Sequence, residues 1–204
     1  TNGSFTRCST DGAVDLFLQL GGTPDNGGSW TGPGGPSSGV FNPATSPSGV
    51  YVYTVLGTAP CTNATATVMA TVNAAPNAGI GGTLTICQGT TSVDLFTGLT
   101  GTPDLTGTWS EVNTSGNLSA NFFTPSGLPA GDYDFLYTVP GIGQCLAATA
   151  TVRVTIVPDL EAGSNGNLPA CRSNTQVNLF NGLGGSPQPG GQWIDLNATN
   201  ALTG

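Results

Sequence analysis

Histidine and lysine are both absent from this chain of 204 residues. Without histidine there is no Ser-His-Asp or Cys-His relay and no imidazole ligand for zinc. Without lysine there is no Schiff base, and no lysine–asparagine isopeptide crosslink. Charge of either sign is scarce: 7% of residues are charged, the basic ones being Arg7, Arg153 and Arg172, and the net charge is -8. Three scattered arginines form no basic cluster, so neither nucleic acid nor anionic lipid is expected as a partner. No run of about 18 apolar residues is present, and no membrane insertion is expected. The remaining residue types suggest no cofactor, no metal and no catalytic constellation, so the chain is not expected to be an enzyme.

What is abundant is glycine (32) and proline (15). These residues recur at fixed places between apolar, strand-like runs, which favours turns over disorder. The recurrence extends to whole segments. DLFLQLGGTPDNGGSW from Asp15, DLFTGLTGTPDLTGTW from Asp94 and NLFNGLGGSPQPGGQW from Asn178 are one segment written three times. A cysteine precedes each closing tryptophan by the same interval: Cys8 and Trp30, Cys87 and Trp109, Cys171 and Trp193. From Cys8 to Cys87 is 79 residues and from Cys87 to Cys171 is 84, the period of a small domain and longer than most solenoid repeats. The expected units are 1–77, 78–160 and an incomplete 161–204. Proline-bearing linkers, Val72 to Asn77 and Val157 to Glu161, separate them. A chain that opens at Thr1, without methionine or leader, reads as a mature or excised segment.

Five cysteines in repeated places indicate an oxidising compartment. Cys61 of the first copy matches Cys145 of the second, so the expected bridges are Cys8–Cys61 and Cys87–Cys145. Each would close a loop of more than 50 residues and contribute about 4 kcal/mol. Cys171 is expected to find its partner outside the chain; a free thiol is the alternative.

Within the second copy, 83–87 alternates as a strand, 93–96 is a short apolar run, and 107–110 leads into another strand. Residues 131–139 and 148–157 are the longest strand-like runs. In the latter Ala150, Val152, Val154 and Ile156 share one face, while Thr149, Thr151, Arg153 and Thr155 share the other. No segment has helical periodicity. The expected fold is all-β: tandem immunoglobulin-like β-sandwich repeats with one disulfide per repeat. Trp30, Trp109 and Trp193 are expected in the cores with Phe17, Phe96 and Phe180. Because the second cysteine follows the tyrosine-bearing strand across a turn, the bridge is expected to tie the first strand to the start of the last. That placement predicts a topology other than the antibody one.

Other constellations have a bland and a functional reading. The tryptophans could stack on sugar rings, but their fixed interval from cysteine favours the core. Asp132 and Asp134 share a strand face and could bind calcium or act as acid and base. The first copy has Val50 and Val52 there, which favours solvated side chains. Asp25 and Asp104 stand in matched Thr-Pro-Asp turns, where the third copy has Gln188, and are expected to cap turn backbone. The sequons at Asn2, Asn63, Asn113, Asn117 and Asn197 are expected by chance in so polar a sequence. The rows Thr65, Thr67 and Thr149, Thr151 read as the wet face of edge strands.

At the level of the whole repeat the chain resembles the tandem immunoglobulin-like region of very large cell-surface adhesin and filament proteins of the Bacteroidota. The resemblance is carried by Cys-x6-Asp-Leu-Phe (Cys8 to Phe17, Cys87 to Phe96), Gly-Thr-Pro-Asp leading into Gly-x-Trp, Gly-x-Tyr-x-(Tyr/Phe), and the closing Ala-Thr-Ala-Thr-Val. Such repeats are similar to those of gliding-motility adhesins of the SprB type. The resemblance implies an extracellular, cell-surface location, export by type IX secretion, and partners that are neighbouring repeats or further copies. Surface polysaccharide is a further partner class. It supplies no catalytic residues. Two readings follow: a non-catalytic structural or adhesive stalk segment, or a carbohydrate-binding or spacer module of a secreted polysaccharide-degrading enzyme. The second calls for an exposed aromatic pair, either Tyr51 and Tyr53 or Tyr133 and Phe135.

Overall fold

The computed structural model describes residues 1–197 and Leu202. The sequon at Asn197 extends into residues outside that range. The first copy contributes β1 (Gly3–Cys8), β2 (Val14–Asp15), β3 (Ser29–Gly32), β4 (Gly35–Ser37), β5 (Val40–Phe41), β6 (Gly49–Val55) and β7 (Ala64–Asn73). The second contributes β8 (Thr83–Cys87), β9 (Val93–Asp94), β10 (Thr108–Glu111), β11 (Leu118–Ser119), β12 (Phe122–Phe123), β13 (Gly131–Val139) and β14 (Ala148–Val157).

The second copy forms one sheet in the order β10-β13-β14-β8 and another in the order β11-β12-β9. Lettered A to G along the chain, its seven strands give C-F-G and D-E-B, the strand order of the immunoglobulin sandwich. The first copy, with β1-β7-β6-β3-β4 and β2-β5, repeats these pairings except that its fourth strand, β4, lies beside β3 in the larger sheet. The chain is thus a tandem of immunoglobulin-like β-sandwiches. Its first strands depart from the constant-domain pattern: β1 lies parallel to β7, and β8 parallel to β14. The expectation of a non-antibody topology is therefore corrected to this narrower difference. It also follows that β7 and β14 are interior strands, flanked on both sides, and their threonine rows are not on edges.

Alternation places the core. Along β14, Ala150, Val152, Val154 and Ile156 point inward and are buried, joining Leu95, Phe123, Phe135 and Tyr137. Val68 and Ala70 of β7 likewise meet Leu16, Phe41, Tyr51 and Tyr53. Full burial of one such aliphatic side chain contributes about 1.5–3 kcal/mol. Tyr51 and Tyr133 each donate their hydroxyl to a carbonyl four residues upstream, Pro47 and Pro129, at 3.0 Å. These bonds resemble the tyrosine corner of immunoglobulin domains.

The short apolar run at 93–96 is the two-residue strand β9 leading into a 3-10 turn, Leu95–Gly98. The Asp94 carboxylate accepts from the Phe96 N–H and caps it. Asp15 and Asn178 make the same bond to Phe17 and Phe180, which explains why Asp or Asn opens every Leu-Phe motif. Within the described part of the third copy there is a 3-10 turn, Leu179–Gly182, and a bridge between Ser164 and Gly184, but no strand.

Candidate functional site

Each complete copy carries the same trio of a phenylalanine, the repeat tryptophan and a tyrosine. Phe17, Trp30 and Tyr53 pack at ring separations of 5.4 and 5.0 Å; Phe96, Trp109 and Tyr137 pack at 5.6, 5.2 and 4.9 Å. The Tyr53 hydroxyl donates to the Asp25 carbonyl and accepts from the Gly28 N–H; Tyr137 does the same with Asp104 and Gly107. The tyrosine thus reads both ends of the segment running from Thr-Pro-Asp to Gly-x-Trp. A Cβ on Gly28 would lie 2.5 Å from Tyr53 Cζ, and one on Gly107 2.6 Å from Tyr137 Cζ, so only glycine leaves room for the ring. Trp30 is buried and Trp109 half-buried. Phe180 is also half-buried, whereas Trp193 is 47% exposed. The 204 residues contain no third-copy counterpart of β13 to supply a tyrosine for Trp193 to pack against.

The aromatic pairs on the strands face inward. Tyr51, Tyr53 and Phe135 are buried and Tyr133 is half-buried, so neither pair offers an exposed stacking platform. Asp132 and Asp134 meet Arg153. Arg153 donates to both Asp134 oxygens at 2.8 and 2.9 Å, and lies 3.6 Å from Asp132, which also accepts from Thr155. The hydrogen bond from Arg153 holds the Asp134 carboxyl below its ordinary range against the opposing effect of burial, with the arginine's charge adding to it. Among the described residues no group of three or more histidine, cysteine or carboxylate side chains is placed to hold a metal. None of the described helices is long and apolar enough to cross a membrane.

Asp104 caps backbone as its turn chemistry suggests, but the backbone belongs to the linker. Its carboxylate accepts from Asn77 N–H at 2.9 Å, its own N–H donates to Asn77 O, and Asn77 Nδ2 donates to Thr102 O. Gln188 donates to Glu161 O in the same position of the third copy. The start of the second unit is therefore tied to its Thr-Pro-Asp turn, and that of the third to the matching Ser-Pro-Gln turn.

The site that most distinguishes the molecule lies between the first two copies. Cys8 is bonded to Cys145, across 137 residues, and both are buried; Cys61, Cys87 and Cys171 are exposed free thiols. The expected pairs Cys8–Cys61 and Cys87–Cys145 are corrected by this finding, and the reason is the direction of β1. Because β1 runs parallel to β7, Cys8 lies opposite Asn73, at the end of β7, whereas Cys61 precedes its start at Ala64. Nine residue steps of strand separate those poles by roughly 30 Å. A disulfide needs Cα atoms within about 7 Å. In the second copy Cys87 lies opposite Val157 while Cys145 precedes Ala148, with the same consequence.

The bonded sulfurs sit among linker backbone: Cys145 Sγ is 3.4 Å from Asn73 O and 3.5 Å from Ala74 O. Ser9 Oγ accepts from the Ala75 N–H at 2.9 Å, fixing the linker to the first copy as Asp104 fixes it to the second. A covalent bond and hydrogen bonds to both sides make this junction a built interface.

No family model matches the chain. No curated protein matches it. Among solved structures it is similar to a three-immunoglobulin-domain titin structure (an E-to-A mutated variant). That match has 15% identity, covers 76% of this chain and 63% of that one, and has a TM-score of 0.45. It is also similar to a titin immunoglobulin tandem, at 12% identity over 78% and 95% with a TM-score of 0.27. An endo-fucoidan hydrolase of glycoside hydrolase family 107 follows, at 13% identity over 66% and 27% with a TM-score of 0.23. The chain spans less than two thirds of the first of these. None of the likenesses bears on activity, and the fold assignment rests on the strand order above.

Proposed function

We propose that this chain is a non-catalytic structural or adhesive repeat segment of an extracellular fibre or adhesin stalk at the cell surface. Residues 1–77, 78–160 and 161–204 are its successive units, and neighbouring repeats or further copies of the protein are its partners. The observation that carries the reading is the Cys8–Cys145 bond, which joins one sandwich to the next instead of closing either one. A protein that spends its disulfide on the joint is stiffened where a rod would otherwise bend. The sequence resemblance to Bacteroidota gliding adhesins supports the same role and export by type IX secretion. The test is immunogold electron microscopy of producing cells with an antibody against residues 78–160. Label along surface fibres is the expected result; label confined to particles of enzyme size in the medium overturns the reading.

One observation favours the carbohydrate-module reading. A shallow cavity of about 450 Å³, lined by Phe96, Leu105, Trp109, Leu118 and Asn121, lies beside Trp109, whose Nε1–H is buried without a partner among the described residues. Leu105, 74% exposed at its rim, offers the test. Retention of the chain on an immobilised polysaccharide, lost in Leu105→Asp, would support that reading. No retention on a panel of surface polysaccharides would remove it.

A further inference from the structure

The strand directions that place Cys8 against Cys145 place the other cysteines too. In each complete copy the first-strand cysteine lies at the pole where the last strand ends, and the closing-loop cysteine at the pole where the last strand begins. Cys87 therefore faces onward from the second copy as Cys8 faces onward from the first. Cys61 stands at the opposite pole of the first copy, as Cys145 does in the second.

The local backbone is built alike in the bonded and the free positions. The N–H three residues on donates to the cysteine carbonyl at Cys8 (Asp11), at Cys87 (Thr90) and at Cys171 (Asn174), all at 2.9 to 3.0 Å. Cys145 N–H donates to Ile142 O and Cys61 N–H donates to Thr58 O, three residues back in both cases. Ser9 N–H bonds Asn73 O, and Gln88 N–H bonds Val157 O, so the strand end beside each leading cysteine is the same. What differs is exposure: the bonded pair is 3% and 6% exposed, while Cys61 and Cys87 are open to solvent.

We propose that Cys61 and Cys87 are the two open halves of this same junction. Cys87 bonds the closing-loop cysteine of an immunoglobulin-like repeat that follows it on the polypeptide, and Cys61 bonds the first-strand cysteine of one that precedes it. The result is a staggered ladder in which each repeat is bonded to both neighbours and to itself not at all. Each bond forms by exchange with a disulfide donor such as oxidised glutathione. Two thiols lose two protons and two electrons, and the donor disulfide is reduced to two thiols. The inference rests on reading the chain as a repeat array and is independent of where the array resides.

The test appends residues 121–160 after Gly204 of the full chain, completing the third copy, and oxidises the protein in a glutathione redox buffer. Peptide mapping without reduction is expected to show the appended closing-loop cysteine joined to Cys87, with Cys61 and Cys171 alkylated. Cys171→Ser is expected to leave that link intact. A link from the appended cysteine to Cys171 overturns the proposal. A second protein, with residues 161–204 replaced by another 78–160 segment, repeats the test with a unit whose core is complete. There Cys87 is expected to join the second Cys145, and a Cys87 that stays alkylatable in both proteins also overturns the ladder. Immunogold localisation would be unchanged by either result, so failure here is separable from failure of the surface-stalk reading.

Discussion

At the scale of the residue, one tyrosine hydroxyl and one glycine explain why Gly-x-Trp recurs. Tyr137 bonds both Asp104 O and Gly107 N–H, so Tyr137→Phe strands two backbone groups at the edge of the core. The expected cost is about 1–3 kcal/mol in urea-melt stability. Gly107→Ala drives a methyl to 2.6 Å from both Tyr137 Cζ and Thr138 O, with an expected loss of about 1–3 kcal/mol. The equivalent Gly191 has nothing within 4 Å of a built Cβ, so Gly191→Ala is expected to leave the melt unchanged. Equal losses from the two glycine variants would show that the tyrosine ring is not the cause. The repetition of Gly-x-Trp was visible in the sequence. Its cause was not, because the tyrosine that requires the glycine lies about 30 residues downstream on another strand.

At the scale of the element, the connection after β10 is a loop organised by one carboxylate. Glu111 accepts from the N–H groups of Ser115, Gly116 and Asn117 and from the Ser115 hydroxyl. Burial pushes its carboxyl up, and the bonds from Gly116, Ser115 and Asn117 together outweigh that, leaving it below its ordinary value. Asp134 is depressed by Arg153. A carboxyl depressed in the folded state adds stability that is fully present above its unfolded value, near pH 4, and is lost as pH falls through the folded value. Stability is therefore expected to decline below about pH 4. Glu111→Gln is expected to lower stability at neutral pH and to flatten that decline; an unchanged pH profile would exclude Glu111 as a contributor. The long strands at 131–139 and 148–157 were legible because their alternation extends over nine or more residues. Strands of two residues such as β9 and β12 carry no such period, and the capped 3-10 turns read as apolar runs.

At the scale of the whole molecule, the cysteine pairing was not legible. Four cysteines in two like copies allow three pairings, and repetition alone does not separate bonding within a copy from bonding between copies. The deciding fact is that each first strand runs parallel to the last strand of its own copy, and such a pairing leaves no local mark in a sequence.

The covalent path has a mechanical consequence. A pull on the two ends passes from residues 1–8 through the disulfide into 145–157, so residues 9–144 lie inside a closed loop. In single-molecule stretching, reduction is expected to release further contour from the 137 residue steps between Cys8 and Cys145, roughly 450–490 Å. An identical contour length before and after reduction would contradict the crossing bond.

The most direct test of the account is a disulfide map of the oxidised 204-residue chain, with free thiols alkylated before digestion. The account predicts a peptide joining Cys8 to Cys145, with Cys61, Cys87 and Cys171 all carrying the alkyl label. Peptides joining Cys8 to Cys61 and Cys87 to Cys145 would contradict it, return each bond to its own sandwich and remove the covalent joint between repeats.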